Sequence, residues 1–145
     1  MAQNQEKKHI IDDDDVYCYV HKSNISKTGK PRAAAFQNTP REGDNLSCDW
    51  RAYTTPEDTK ARIGKQFRTG TTEFKNPDIF GISQFKVKHL RVLELGQKVE
   101  HDPIFSEPEI LGQPNNYAHS IIIGEKDEET RLKMVELSEW IIMPL

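Results

Sequence analysis

The side chains of this sequence that are suited to chemistry lie at separate places along the chain. They comprise two histidines, a serine and several polar residues near them: His21, Ser47, Asp49, Arg51, Asp102, Asn116, Tyr117, His119 and Ser120. An imidazole titrates near neutral pH and therefore suits proton transfer. His119 is the first candidate, because a turn-rich stretch, residues 112–116, leads into it and a run of three isoleucines follows it.

Three kinds of site are open to these residues. His119 acts either as a general base or ligand contact, or as a structural histidine whose ring nitrogens are satisfied. Ser47 and His119 would form a nucleophile and its base, but Ser47 lacks the sharp Gly-flanked turn of a nucleophile elbow. A metal site would use imidazole and carboxylate ligands, which suit Zn²⁺: His21, His101, Asp102 and His119.

No sequence motif identifies a cofactor. The chain carries no P-loop, no dinucleotide-binding glycine fingerprint, no HExxH zinc motif and no nucleophile elbow. The four adjacent aspartates, residues 12–15, do not predict a metal site, because an extended chain points neighbouring side chains to opposite sides.

Several short motifs resemble a family of small uncharacterised bacterial cytoplasmic proteins. The similarity covers roughly residues 16–124 and rests on these positions: Tyr17, His21, Ala35-Phe36, Leu46-Ser47-x-Asp49, Asp102-Pro103 and Asn116-x-Ala118-His119. The resemblance implies a cytoplasmic α+β domain and transfers no catalytic residue.

The chain is also similar, at the level of the fold, to ADP-ribosyltransferase-like domains. Such domains carry polar residues on three strands, and Tyr17 or His21, Ser47 and His119 would take those places here. The resemblance implies a site that grips a dinucleotide and breaks a bond at its ribose. The sequence departs from the pattern because it lacks a Glu on a late strand; Glu125 follows Gly124. Fold analogy alone is a weak argument for activity.

The elements that must position these residues are mostly strands. Residues 16–21 and 117–123 are rich in aromatic and β-branched side chains, which favour strands. The unbroken isoleucine run predicts a strand in the interior of the sheet. In residues 46–50, alternation sends Leu46, Cys48 and Trp50 to one face of a strand, and Ser47 and Asp49 to the other.

Helices and loops complete the layout. Thr54 with Glu57 predicts a capping box and a helix that ends at about 65–67. Asp127 predicts the cap of a final helix, and residues 85–95 predict a half-buried strand with a bulge near 89–91. The apolar terminus, Trp140, Ile142 and Leu145, is expected to dock. The fold class is therefore α+β, with a single mixed or antiparallel sheet of about five or six strands and two helices.

The distribution of charge is uneven along the 145 residues. Residues 1–15 read as a disordered acidic tail, and residues 16–145 as a single α+β domain. The segment 60–98 holds nine basic and three acidic residues, whereas 99–145 holds three basic and ten acidic. The basic segment offers a surface for nucleic acid, but the net charge of −3 does not favour that partner.

Composition also bounds the location of the protein. The start of the chain lacks the apolar segment of a secretory signal, and no stretch reaches the ~20 apolar residues of a membrane span. Cys18 and Cys48 fit neither a metal motif nor a disulfide framework, so we expect reduced thiols in a cytoplasmic protein.

Two functions follow from these expectations. The first is a small ligand- or protein-binding module, an accessory component of a bacterial multi-protein system. Its ligand, small and nucleotide-like, would contact Tyr17, Arg51, Asn116 and Tyr117. The alternative is a compact transferase or hydrolase with an ADP-ribosyltransferase-like site that uses three catalytic residues: His21, Ser47 and His119.

Overall fold

A computed structural model describes residues 6–40, 43–92 and 95–144. These residues form one six-stranded antiparallel sheet with strand order β4-β5-β2-β1-β3-β6. The strands are β1 (Asp15–His21), β2 (Leu46–Trp50), β3 (Phe80–Lys86), β4 (Lys98–His101), β5 (His119–Ile123) and β6 (Glu139–Ile142), and the helices are α1 (Pro56–Ile63), α2 (Val87–Leu90) and α3 (Glu128–Leu137). The predicted α+β fold with a single sheet is confirmed.

The isoleucine strand, β5, lies inside the sheet. It pairs with β4 on one side and with β2 on the other. Ile122 is completely buried, while Ile121 and Ile123 are half-buried on the opposite face. Burial on both faces explains why the run is apolar without interruption.

The two faces of the sheet differ in what covers them. One face carries the larger core, in which Val16, Leu46 and Ile122 pack with Phe36 and Met134 from outside the sheet. The other face carries a small cluster of Tyr17, Ile63, Phe80 and Ile82 beneath α1. The rest of this second face carries the half-buried Ile121 and Ile123 and a polar part with Ser47, Asp49 and His119, which leaves room there for a site.

Both cysteines lie on the core face as free thiols. Cys18 and Cys48 are buried, and burial raises the pKa of the Cys18 thiol to about 12 and that of Cys48 well above its usual value. Buried, protonated thiols are poor nucleophiles. Neither cysteine is therefore a candidate for catalysis.

The prediction of a bulged strand over 85–95 is wrong for the residues that the structure describes. β3 ends at Lys86 and the chain turns at once into α2, where Val87 and Leu90 are buried. The backbone N–H groups of Val87 and Lys88 donate to the carbonyl oxygens of Asp14 and Asp12 instead of continuing a sheet ladder. Residues 93 and 94 lie outside the described residues.

The helix boundaries differ slightly from the predicted ones. Thr55, not Thr54, caps α1, because its hydroxyl accepts a hydrogen bond from the N–H of Asp58 at 3.1 Å. α1 ends at Ile63, two to four residues before the predicted end at about 65–67. α3 begins after Asp127, whose carboxylate accepts from the N–H of Thr130 as predicted.

Two short edge strands complete the sheet. β4 was not predicted, although its four residues alternate between exposed and buried. The apolar terminus docks by forming β6, which pairs with β3 and brings Trp140 opposite Ser83. Leu145 lies outside the described residues.

The acidic segment before β1 packs on the fold, which corrects the prediction of a disordered tail for residues 6–15. Ile10 is almost completely buried in the larger core. Asp14 is also buried, and accepts hydrogen bonds from Trp50 Nε1 at 2.6 Å and from Arg51 Nε at 3.2 Å. The backbone N–H of Lys8 donates to His101 Nδ1 at 2.9 Å. Residues 1–5 of the predicted tail lie outside the described residues.

Replacing Asp14 by alanine is expected to lower the free energy of unfolding by about 1–3 kcal/mol, because the buried indole N–H of Trp50 loses its acceptor. Urea unfolding of the two proteins measures the difference. Asp13→Ala is the matched control, because Asp13 is exposed, and we expect it to change stability by less than about 0.5 kcal/mol. Equal stability of the Asp14 and Asp13 variants would contradict the packing of this segment.

Candidate functional site

A cleft of about 540 Å³ opens on the polar face of the sheet. Its floor is formed by residues of β1, β2 and β5, among them Tyr17, Ser47, Asp49 and His119. One wall is α1 with the segment 66–71, and the other is the segment that runs from Asp102 to Asn116. Ligand sites are typically concave regions of this size with a few convergent polar groups.

Ser47 and His119 form a hydrogen-bonded pair in the floor of the cleft. Ser47 Oγ lies 2.7 Å from His119 Nε2, and His119 Nδ1 lies 2.7 Å from the backbone oxygen of Asp102. Because a carbonyl oxygen only accepts, Nδ1 must carry the proton, and in the neutral ring Nε2 is then an acceptor. Ser47 therefore donates to Nε2, which is the arrangement of a hydroxyl next to its general base.

The register of β2 and β5 brings the pair together. Asp49 lies opposite His119 and Ser47 lies opposite Ile121, so the serine and the histidine are diagonal neighbours on one face. His119 is fixed from the far side as well, since its carbonyl oxygen accepts from the N–H of Asp102 at 2.9 Å. The ring of His119 is thus held by the sheet and by Asp102, the residue at which the second wall begins.

Asp49 is the centre of a buried polar cluster beside this pair. Its Oδ2 accepts hydrogen bonds from Thr59 Oγ1 at 2.9 Å and from Arg62 Nη1 at 2.7 Å. Its Oδ1 accepts from Asn116 Nδ2 at 2.8 Å. The cluster joins β2, α1 and the wall that precedes β5, so it holds the two sides of the cleft at a fixed separation.

The floor and the walls of the cleft supply aromatic and cationic side chains. Tyr17 and Tyr19 of β1 and Phe67 line the cleft, together with Arg62 and Lys75. Lys75 Nζ lies 5.2 Å from the centre of the Tyr19 ring, within the range of a cation–π contact. Burial raises the pKa of the Tyr17 hydroxyl, so this group stays a neutral donor and acceptor. These walls suit a ligand that has both an aromatic and an anionic part.

The two walls meet at Phe67 and Gly112. The N–H of Phe67 donates to the carbonyl oxygen of Gly112 at 3.0 Å. Gly112 has a φ of +82°, and a Cβ at this position would lie 2.1 Å from the Phe67 ring. Only glycine fits this contact, because any side chain would collide with the ring and strain the backbone.

The structure brings together four of the seven predicted site residues. Tyr17, Ser47, Asn116 and His119 all line the cleft. Asn116 serves mainly to orient Asp49 and to form a turn, in which its Oδ1 accepts from the N–H of Ala118 at 3.1 Å.

The other three predicted site residues lie elsewhere. His21 ends β1, where its Nδ1 contacts Ser23 and its ring packs on Phe80. Arg51 pairs with Asp14 and Asp15. None of the three lines the cleft.

Alternation along the predicted strand 117–123 places Tyr117 on the same face as His119, and the structure contradicts this prediction. The turn made by Asn116 interrupts the strand pattern, so β5 begins only at His119. The Tyr117 ring instead packs on Tyr53 and His101. Its hydroxyl donates to the backbone oxygen of Glu6 at 3.1 Å.

The hypothesised metal site is not formed. Across residues 6–40, 43–92 and 95–144, no group of three or more His, Cys, Asp or Glu side chains could hold a metal ion. His101 Nε2 donates to the backbone oxygen of Tyr117 at 2.6 Å, and its Nδ1 accepts from Lys8, so both of its ring nitrogens are engaged.

Sequence reasoning missed several side chains of the site, among them Tyr19, Arg62, Phe67 and Lys75. Arg62 lies three residues after Thr59 and so shares its face of α1, but this spacing does not show that the helix packs on Asp49. The Phe67 ring packs on Gly112 and also lines the cleft. The basic segment 60–98 is divided: Arg62, Arg68 and Lys75 line the cleft, whereas Lys88 lies in α2.

Comparison with protein-family models, with curated proteins and with solved structures finds no match to this chain. The two resemblances noted in the sequence therefore stay predictions. No helix in the described part of the chain is long and apolar enough to cross a membrane.

Proposed function

We propose that the protein is a compact hydrolase or group transferase that acts on a small nucleotide-like ligand, with Ser47 as the nucleophile and His119 as its base. The observation that carries this proposal is the 2.7 Å contact between Ser47 Oγ and His119 Nε2 in the floor of the cleft. A hydroxyl needs such a base, because it is a weak nucleophile in its protonated form.

The proposed reaction has two steps. In the first, the Ser47 proton passes to His119 Nε2 while Oγ forms a bond to an acyl or phosphoryl centre of the ligand. The leaving group departs with its electron pair and takes the proton from His119. In the second, His119 removes a proton from water or from an acceptor hydroxyl, which attacks the covalent intermediate and restores Ser47.

The walls of the cleft support a nucleotide-like ligand. Lys75 offers positive charge, whereas the charge of Arg62 is balanced by Asp49 at 2.7 Å, and Tyr17, Tyr19 and Phe67 offer aromatic surface. The same placement of Tyr17, Ser47 and His119 is compatible with the ADP-ribosyltransferase-like resemblance, but His21 no longer contributes to it. A cytoplasmic location in a bacterium is part of the proposal: the bacterial source rests on the resemblance alone, and the cytoplasmic location rests on the resemblance and on the expected reduced thiols.

Labelling with a fluorophosphonate probe tests the nucleophile. The activated Ser47 Oγ should displace fluoride from the probe, and the mass of the intact protein should rise by one adduct. Ser47→Ala and His119→Gln should abolish the adduct, whereas Ser23→Ala, an exposed serine, should leave it unchanged. Thermal unfolding of each variant confirms that it is folded. Labelling of Ser47→Ala at the wild-type rate would refute the proposal.

A second candidate function is a ligand- or protein-binding module without turnover, as an accessory component of a multi-protein system. One observation favours it: the Asp102 carboxylate lies 3.6 Å from His119 Nδ1, and the backbone oxygen takes the hydrogen bond. A carbonyl stabilises an imidazolium less than a carboxylate does. A wild-type protein that binds a ligand in the cleft but never forms the adduct would support the module.

A further inference from the structure

A second groove, of about 240 Å³, adjoins the cleft. Four residues line both: Ile110, Leu111, Gly112 and Pro114. Phe74 and Lys65 complete the groove on the side of the segment 65–75. The cleft and the groove are therefore neighbouring parts of one concave surface, and a ligand longer than the cleft can extend into the groove.

The groove exposes an unusual amount of apolar surface. Phe74 is 51% exposed, Ile110 is 49% exposed and Leu111 is 75% exposed. These residues come from two separate segments that face each other across the groove. Apolar side chains gathered at the rim of a cleft are typical of ligand contacts, whereas single exposed ones carry no meaning.

The Phe74 ring is held in place although half of it is exposed. It packs on Phe67 with ring centres 5.0 Å apart, and the two residues are bridged as partners of a short antiparallel pair. Phe67 is itself fixed against Gly112. A ligand ring in the groove would thus meet an aromatic face that is already ordered, so little conformational entropy is lost on binding.

Positive charge lies on both sides of this aromatic face. Lys65 lines the groove, and Lys75 lines the adjoining cleft together with Arg68, which pairs with Glu73 at 3.3 Å. Glu109 also lines the groove; its carboxylate accepts a hydrogen bond from the N–H of Asn115 at 2.7 Å, which orients it but leaves its negative charge. An aromatic face flanked by cations matches a nucleotide, whose base stacks and whose phosphate is anionic.

We propose that the groove between Phe74 and Ile110–Leu111 is the base subsite of a nucleotide whose phosphate lies in the cleft. This inference rests on the proposed function, since it places the reacting part of the nucleotide next to Ser47 and His119. It adds that the base is recognised by stacking, outside the cleft in which the chemistry occurs.

Isothermal titration of the full chain with AMP, adenosine and ribose 5-phosphate tests the subsite. Phe74→Ala should weaken the binding of AMP and adenosine by about 5- to 150-fold, the loss expected from one stacked base. It should leave the binding of ribose 5-phosphate unchanged, because that probe has no base. Phe74→Leu keeps an apolar side chain but removes the ring, so it should also weaken the binding of AMP. Met143→Ala, which removes an exposed side chain outside both linings, is the control.

Three outcomes would overturn the proposed subsite. Phe74→Ala could bind AMP with wild-type affinity, or it could lose as much affinity for ribose 5-phosphate as for AMP. The third outcome is that the wild-type protein does not bind AMP at millimolar concentration. Fluorophosphonate labelling separates this failure from a failure of the proposed function. An adduct at Ser47 without nucleotide binding refutes the base subsite and the nucleotide-like ligand, and leaves the Ser47–His119 chemistry in place. Nucleotide binding that depends on Phe74 without an adduct refutes the proposed chemistry and leaves the subsite in place.

Discussion

Replacing Asp49 by alanine is expected to lower the free energy of unfolding by about 3–5 kcal/mol, as removal of one partner of a buried ion pair does. Arg62 would keep its charge in a mostly buried position without the carboxylate 2.7 Å away. The donors of Thr59 and Asn116 would lose their acceptor at the same time. Urea unfolding of the variant and the wild-type protein measures the loss.

A double variant separates two contributions to the loss of stability: the unpaired charge of Arg62 and the lost packing. Asp49→Ala with Arg62→Leu removes both members of the pair, so it should be less destabilised than Asp49→Ala alone. The same variants should also bind AMP more weakly, since the cluster joins the two walls of the cleft. A loss below about 1 kcal/mol for Asp49→Ala would show that water replaces the carboxylate and that the cluster does not hold the walls.

The floor of the site could be predicted because it depends on local alternation. A strand has a period of two, so the sequence of 46–50 alone places Ser47 and Asp49 on one face. β2 has these bounds, and its burial pattern keeps the two apolar side chains Leu46 and Cys48 on the other face. The isoleucine run predicts the position of β5 for a different local reason, because an unbroken apolar run indicates a strand that is buried on both faces.

The walls could not be predicted because they depend on contacts between distant residues. Nothing in the spacing of 56–63 indicates that Arg62 meets Asp49. The acidic run before β1 could not be predicted to pack for the same reason. Its charges suggest repulsion, but Asp14 accepts a hydrogen bond from the indole N–H of Trp50, which is 36 residues away in the chain. A strand of four residues, such as β4, is also too short for its alternation to stand out.

Replacing Ile122 by alanine is expected to lower the free energy of unfolding by about 2–5 kcal/mol, through lost burial and the cavity that remains. Ile122 is completely buried in the larger core, and its strand is paired on both sides, so neighbouring side chains have little freedom to fill the space. Ile122→Val removes one methylene group and should cost about 0.5–1.5 kcal/mol. Urea unfolding of the three proteins measures both differences.

Ile121→Ala is the matched control, since it makes the same change one residue earlier, on the half-buried face that His119 shares. Alanine also has a lower preference for strands, which accounts for up to about 1 kcal/mol in either variant. The difference in the free energy of unfolding between Ile122→Ala and Ile121→Ala therefore measures the contribution of the core alone. Because the two faces of β5 are packed separately, Ile122→Ala should still form the fluorophosphonate adduct at Ser47 while it is folded. A loss no larger than that of Ile121→Ala would mean that the core face of β5 is not closely packed.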